Sequence, residues 1–352
     1  MTTGRAPVVP KPAAAMAANG PCPIPGHVNV DVQLVAAIIA VIDDEPVVRV
    51  VPDEGMARLP SAPFRPDLHP TLEEGLRAAV RGDTGLELGH VEQLQTVSLP
   101  TAGEAGANHA AHASNSGMPH TLSVGYLALA HGTDLCERER ESWQSCYAFF
   151  PWEDWRHGKP RVLREEIEPR LTAWARVDDG GDGAQVPRRD RMRICFGEND
   201  HTWDEEKVVE RFDLLSDAGI ATTDMHASRS PRQTHNGTPP GAGAVHLTTD
   251  HKRSLASAMS RLRAKIKSRP LVFDLMPETF TLFELQRAVE AILGPHLHKQ
   301  NFRRLVEHMG LVEPTDEIKS HTGGRPAKLF RFRQECLLER MQPGVRVRSA
   351  RG

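Results

Sequence analysis

Residues 299–304 set two carboxamides, Gln300 and Asn301, and three cations, Lys299, Arg303 and Arg304, on the polar side of a segment whose apolar positions are Phe302, Leu305 and Val306. That spacing predicts a helix with one solvated, basic face. A carboxamide pairs bidentately with adenine, and cations hold phosphate, so the chemistry open to such a face is the reading of duplex DNA. Upstream, Glu73, Glu74 and Asp83 lie along a second predicted helix. Carboxylates on one helix can hold a divalent metal only where several oxygen ligands are fixed in place, and first-turn carboxylates such as Glu73 and Glu74 also simply favour a helix N-terminus. The five cysteines (Cys22, Cys136, Cys146, Cys195 and Cys336) form no CxxC pair, and the 17 histidines no HExxH. Both facts argue against a disulfide framework and a local metal motif.

The elements that must position the basic face are legible around it. Leu282, Leu285, Val289 and Ile292 mark one side of a helix over Glu284–Leu293, and Gly294-Pro295 breaks it. The second helix runs over His298–Met309. Two short β segments, 311–314 and 329–332, flank a Gly-rich tip holding Lys319, Thr322, Arg325 and Lys328. Helix, turn, helix and basic wing make a winged helix-turn-helix. Charge agrees: His251–Gly352 holds 20 Lys+Arg and 10 Asp+Glu, a net +10, against −13 for the rest of a chain whose total is −3. A basic module joined to an acidic one is what a nucleic-acid reader with a separate sensor needs. In the acidic part, Val30–Ile42 and Pro46–Val51 read as strands about an Asp43-Asp44 turn, Thr71–Thr84 as a helix capped by Thr71 and ended by Gly85, and His90–Leu99 and Thr121–Ala130 as strands. Leu163–Arg176 reads as a further helix.

With 352 residues, 39% hydrophobic and 25% charged, the chain has room for two or three domains. Its longest apolar run, Leu34–Ile42, is too short to span a bilayer. The expected organisation is a disordered leader at 1–28, a ligand-sensing domain at 29–177 with a disordered insertion at 101–119, a helical linker region with disordered loops at 178–250, a winged helix at 251–340 and a flexible tail at 341–352. The leader lacks a secretion signal and the thiols are unpaired, so a cytoplasmic location is expected.

Two stretches resemble known families. Leu59-Pro60-Ser61-Ala62, Thr71-Leu72-Glu73-Glu74 and Thr84-Gly85-Leu86 outline a Nudix box. Its carboxylate slots, however, hold Ala78-Ala79 and Gly82-Asp83, and Pro70 stands at the upstream acidic position. Phe280-Thr281-Leu282, Leu285-Gln286, His298–Arg304 and Gly324-Arg325-Pro326-Ala327 resemble the winged-helix half of Nudix-related transcriptional regulators of NAD metabolism, most closely the alphaproteobacterial branch. With Val124-Gly125-Tyr126-Leu127 and Pro151-Trp152-Glu153-Asp154, the likeness covers most of residues 30 to 335. It implies an α+β chain: a Nudix-like α/β/α sandwich followed by a C-terminal winged helix-turn-helix.

The resemblance further implies a repressor of NAD biosynthesis or salvage genes that binds double-stranded operator DNA, pairs as a homodimer and senses an NAD-related nucleotide (ADP-ribose, NAD or ATP). No cofactor, metal, catalytic residue or membrane partner is expected. The DNA-binding candidates are Thr281, Lys299, Gln300, Asn301, Arg303, Arg304, Lys319, Thr322, Arg325 and Lys328. The nucleotide-binding candidates are Arg58, Phe64, Arg65 and Trp152. The competing readings are an active Nudix pyrophosphatase acting on ADP-ribose or a related dinucleotide, and an RNA- or protein-binding adaptor.

Overall fold

The computed structural model describes residues 30–53, 56–99, 120–132, 137–177, 186–197, 202–220, 246–319 and 326–333. The leader, the 101–119 insertion, the tail, Thr322 and Arg325 lie outside these.

β1 (Val30–Ile42) and β2 (Glu45–Arg49) are joined by Asp43 and Asp44, both at positive φ (50° and 62°). Short polar side chains tolerate that conformation, and it matches the twist of a tight hairpin. β3 (Val51–Asp53) and β4 (Met56–Arg58) form a small ribbon, and β5 (Ser61–Pro63) returns to pair with β1. α1 (Leu72–Thr84) begins and ends as the sequence predicts. The Thr71 hydroxyl accepts the Glu74 N–H (3.2 Å), and Gly85 closes the helix. β6 (Val91–Leu99), β7 (His120–Leu129) and β8 (Trp143–Ser145) complete a six-stranded sheet, five strands in the order β6-β7-β1-β2-β8 with β5 as the sixth, off that path on β1; β1 and β7 run parallel.

β1 explains the longest apolar run. Leu34, Ala36, Ile38 and Ala40 meet Leu76 and Val80 of α1 on one face of the sheet. Val35, Ala37 and Ile39 enter the main core on the other. A strand covered on both faces reads as continuous rather than alternating hydrophobicity.

On the opposite face lie α2 (Cys146–Phe149) and, after α3 (Glu168–Arg176), α4 (Arg188–Phe196) and α5 (Val208–Asp217), the long α6 (Thr249–Ser268); α5 packs on α6, α4 on α5 and α3 on α4. The helix expected over Leu163–Arg176 forms without a break, with a change of ladder inside it. Leu163–Ile167 is π-helical, and α3 carries Pro169 in its first turn. Proline has no N–H to give the preceding turn, so the α ladder cannot run through.

α6 lies across the sheet with Leu255, Met259 and Leu262 fully inside the main core. The boundary expected at residue 251 therefore falls at the start of a helix whose partners are in the sheet. The charge split is also less than it looks. Arg253 pairs with Asp213 (2.9 Å), Lys265 with Glu92 (2.7 Å) and Lys267 with Glu205 (2.6 Å), all of them acidic residues upstream of 251.

α7 (Leu282–Leu293), α8 (Lys299–Met309) and the antiparallel pair β9 (Val312–Lys319) and β10 (Ala327–Phe332) follow. The whole is an α+β chain, a sheet between helical layers followed by a helix pair and a two-stranded wing. A fragment ending at residue 250 lacks α6 and should not melt cooperatively by circular dichroism. In the full chain Leu262→Ala should cost about 2–5 kcal/mol in urea unfolding, as core truncations do. A cooperative melt of the fragment would show that α6 is dispensable to the sheet.

Candidate nucleic-acid interface

α7 starts on a capping box. The Thr281 hydroxyl accepts the Glu284 N–H (3.2 Å), and the Glu284 carboxylate accepts the Thr281 N–H (2.8 Å). Thr281 is 5% exposed, so its hydroxyl serves the helix rather than DNA. α7 ends at Gly294, whose φ is +97° and whose added Cβ would lie 3.2 Å from that of Trp155. A side chain there would meet both a strained backbone and the neighbouring loop.

α8 presents the face the sequence predicts. Lys299, Gln300, Asn301, Arg303 and Arg304 are exposed, while Phe302 and Val306 are buried. Arg303 is paired within the helix to Glu307 (2.9 Å). In the wing, Lys328 is exposed on β10. Lys319, expected at the tip, lies instead at the end of β9, where its Nζ reaches Glu284 Oε1 (2.5 Å). The strand continues past the predicted turn, and the lysine is drawn to the carboxylate that opens α7. The wing is anchored by the Phe280–Phe330 bridge and by Phe332 stacked on Phe273 (4.3 Å between centroids).

The nucleotide-binding candidates do not converge. Arg58 donates to the Ser61 hydroxyl (3.2 Å) and lies 3.9 Å from Asp83. Nearby, the Leu59 N–H donates to Nδ1 of His251 on α6 (3.3 Å). Burial, with Arg58 adding to it, holds that imidazole below the usual histidine range, consistent with its accepting role. Phe64 is half-buried against α1 beside Gly75, and Arg65 is exposed and paired with Asp67 (3.0 Å). Trp152 is the correction: it is 3% exposed and packs edge-to-face on Phe150 (5.8 Å). Its neighbour Glu153 reaches inward, and the tryptophan is carried into the core with it. Along α1, Glu73 is tied to Arg77 (3.0 Å). Among the described residues no group of three or more His, Cys, Asp or Glu side chains is arranged to hold a metal ion.

The residues that seat the helix pair on the sheet were not singled out by the sequence. Glu153 is wholly buried between two wholly buried arginines. Arg211 of α5 takes both of its carboxylate oxygens (2.6 and 2.9 Å), and Arg263 of α6 takes one (2.6 Å). Arg263 also donates to the Ile292 carbonyl in the last turn of α7 (2.8 Å). The Tyr147 hydroxyl, pushed up to about 12 by burial, donates to the adjacent Ala291 carbonyl (2.6 Å). Side chains of the sheet-bearing part thus cap α7. Arg287 of α7 returns the contact, reaching Asp44 in the β1–β2 turn (3.0 Å). The one legible signal was an arginine inside an apolar stripe: Arg211 among Val208, Phe212 and Leu215, and Arg263 among Met259, Leu262 and Ile266.

With this geometry established, comparison with known proteins places the C-terminal part. Residues 272–332 match the family model described as the NrtR DNA-binding winged helix domain. The match is confined to this segment, about a sixth of the chain. A curated relative, the ADPR responsive transcriptional repressor NtrR of Acinetobacter baylyi, is 46% identical over 88 residues. These are 25% of this chain and 35% of the relative, so the chain matches about a third of that protein's length. Among solved structures, NrtR of Shewanella oneidensis in complex with a 27mer DNA is similar at TM-score 0.49 and 17% identity, covering 86% of this chain and 93% of that one. A MutT/nudix family protein from Enterococcus faecalis follows at TM-score 0.44 and 13% identity, covering 89% and 90%. Both scores are below 0.5, and the sequence match is confined to the C-terminal segment. The matched segment holds α7, α8 and the two wing strands, and with them every DNA-binding candidate named from the sequence.

Replacing Glu153 with alanine leaves two guanidiniums buried against each other, and breaking such a pair costs about 3–5 kcal/mol. Urea unfolding of Glu153→Ala should show a loss of that size. A loss below about 1 kcal/mol, the range of exposed ion pairs, would mean that the site is solvated.

Proposed function

We propose that the chain is a DNA-binding transcriptional repressor whose N-terminal part responds to an NAD-related nucleotide. The observation that carries the reading is the NrtR-type winged helix with a second helix exposing Lys299, Gln300, Asn301, Arg303 and Arg304. Gln300 and Asn301 read base edges in the major groove, and the cations on α8 with Lys328 hold phosphates. The effector is ADP-ribose, the nucleotide that the A. baylyi relative is described as answering to, with NAD and ATP as the other members of its class. The targets are NAD biosynthesis or salvage genes. Two chains pair so that their α8 helices meet successive major grooves about 34 Å apart, and the protein works in the cytoplasm. Among the described residues no helix is long and apolar enough to cross a membrane.

The N-terminal part binds the nucleotide without hydrolysing it. Ala78, Ala79 and Gly82 stand where a pyrophosphatase needs carboxylates. Of the remaining carboxylates, Glu73 is engaged by Arg77, and Asp83 lies 3.9 Å from Arg58. Without several oxygen ligands in fixed geometry a magnesium ion is not held.

The test is fluorescence anisotropy on the duplex that the pure protein enriches from a random pool, with and without ADP-ribose. Enrichment of one sequence, and a shift in its Kd of about 5–150-fold on adding nucleotide, is expected. Failure to enrich any sequence contradicts the DNA reading, and an unchanged Kd contradicts the effector. Metal-dependent turnover of ADP-ribose that disappears in Asp83→Ala would favour the hydrolase instead.

A further inference from the structure

The turn between α7 and α8 holds a buried polar bracket that the winged-helix assignment does not account for. Gln286 and Glu290, one turn apart on α7, are 7% and 4% exposed. Both close on one residue of the turn. Gln286 Nε2 donates to the Leu297 carbonyl (2.9 Å), and Glu290 Oε1 accepts the Leu297 N–H (2.9 Å). The two side chains are joined to each other, Gln286 Nε2 to Glu290 Oε1 (2.8 Å). The second oxygen of Glu290 faces Arg287 Nη1 and His296 Nδ1, both at 3.2 Å. Burial alone would raise this carboxyl. Donation from Leu297, Gln286 and His296 outweighs burial and holds it below the usual glutamate range.

Two apolar side chains at 286 and 290 would bury as well. A buried polar pair adds geometry more than stability, because each donor and acceptor has one place to go. Holding both the N–H and the C=O of Leu297 fixes the peptide planes two residues before α8 starts, and with them the direction in which the helix leaves the turn. Base reading tolerates little error there, since productive contacts need placement within about 0.5 Å and 10–20°.

We propose that Gln286 and Glu290 are positioning residues for base reading: they touch no DNA, but by clamping Leu297 they aim Gln300 and Asn301 at the base edges. The proposal rests on the DNA-binding reading above. It predicts a loss of discrimination rather than of affinity at large. Phosphate contact draws on exposed cations that the bracket does not hold, so a mis-aimed α8 still binds DNA of any sequence.

The experiment measures Kd on the enriched duplex and on a scrambled duplex of the same length, with a thermal melt of each variant. Glu290→Leu and Gln286→Met should lower the ratio of the two affinities about tenfold, the discrimination that roughly one good base contact supplies. Their Kd on scrambled DNA should stay within about twofold of the unmodified protein, the scale of a few tenths of a kcal/mol. Glu290→Gln keeps an oxygen for the Leu297 N–H and should restore most of the ratio, which a merely destabilised domain would not do. Should Glu290→Leu fail to fold, Gln286→Met carries the test, since it removes only the bond to the Leu297 carbonyl and the link to Glu290. The proposal is overturned if affinity on both duplexes falls in step, or if the ratio is unchanged in folded protein. Failure of the unmodified protein to enrich any duplex would instead strike at the DNA-binding reading itself.

Discussion

Glu153 brings a charge into a place that solvent does not reach, and the seating of the reading helices depends on how that charge is met. A carboxylate desolvated alone is too costly to keep, so it is held by Arg211 and Arg263, and their remaining donors must be met in turn. They are met by backbone carbonyls: Cys195 and Asp204 accept from Arg211, and Glu205 and Ile292 accept from Arg263. One of those carbonyls belongs to the last turn of α7, where the helix dipole favours a cation. The requirement that a buried ion cluster be fully satisfied thus fastens the first helix of the winged helix to α5, α6 and the turn after α2. Apolar packing alone would hold these parts together with less directional precision.

A second buried carboxylate, Glu290, continues the chain of constraint from α7 into the turn before α8. Between them the two carboxylates connect sheet to α7 and α7 to α8, with the Arg287–Asp44 contact as a cross-brace. The basic residues of the C-terminal hundred thus divide into two kinds. Those of α6 are largely spent on internal acidic partners, while those of α8 and Lys328 face solvent. Net charge by segment counts both kinds alike, so it overstates the field available to a nucleic acid. The segment that matches the winged-helix family model nonetheless lies within the basic part.

Much of the fold was legible because local chemistry and tertiary need agree. Thr71 and Gly85 bound α1, Gly294 ends α7, and the Asp43-Asp44 turn sits where its two aspartates predict. The exposed face of α8 followed from the spacing of Phe302 and Val306. What was not legible is what depends on residues distant in sequence. Nothing near Trp152 announces that Glu153 must reach Arg211 and Arg263, 58 and 110 residues away. Trp152 therefore reads as a ligand-facing ring when it is core. Lys319 reads as a wing-tip cation, because its partner Glu284 is 35 residues upstream. Thr281 reads as a DNA contact, whereas it is buried as the cap of α7.

Base reading by α8 stands or falls first with Gln300. It is exposed, it is no part of the core, and an amide at the start of a recognition helix suits adenine. Binding isotherms for Gln300→Ala on enriched and scrambled duplexes, across a range of salt, should show a loss of about 1–3 kcal/mol on the enriched duplex alone, with the salt slope unchanged. Equal losses on both duplexes, with an unaltered thermal melt, would mean that α8 meets only the phosphate backbone and that the bases are read elsewhere.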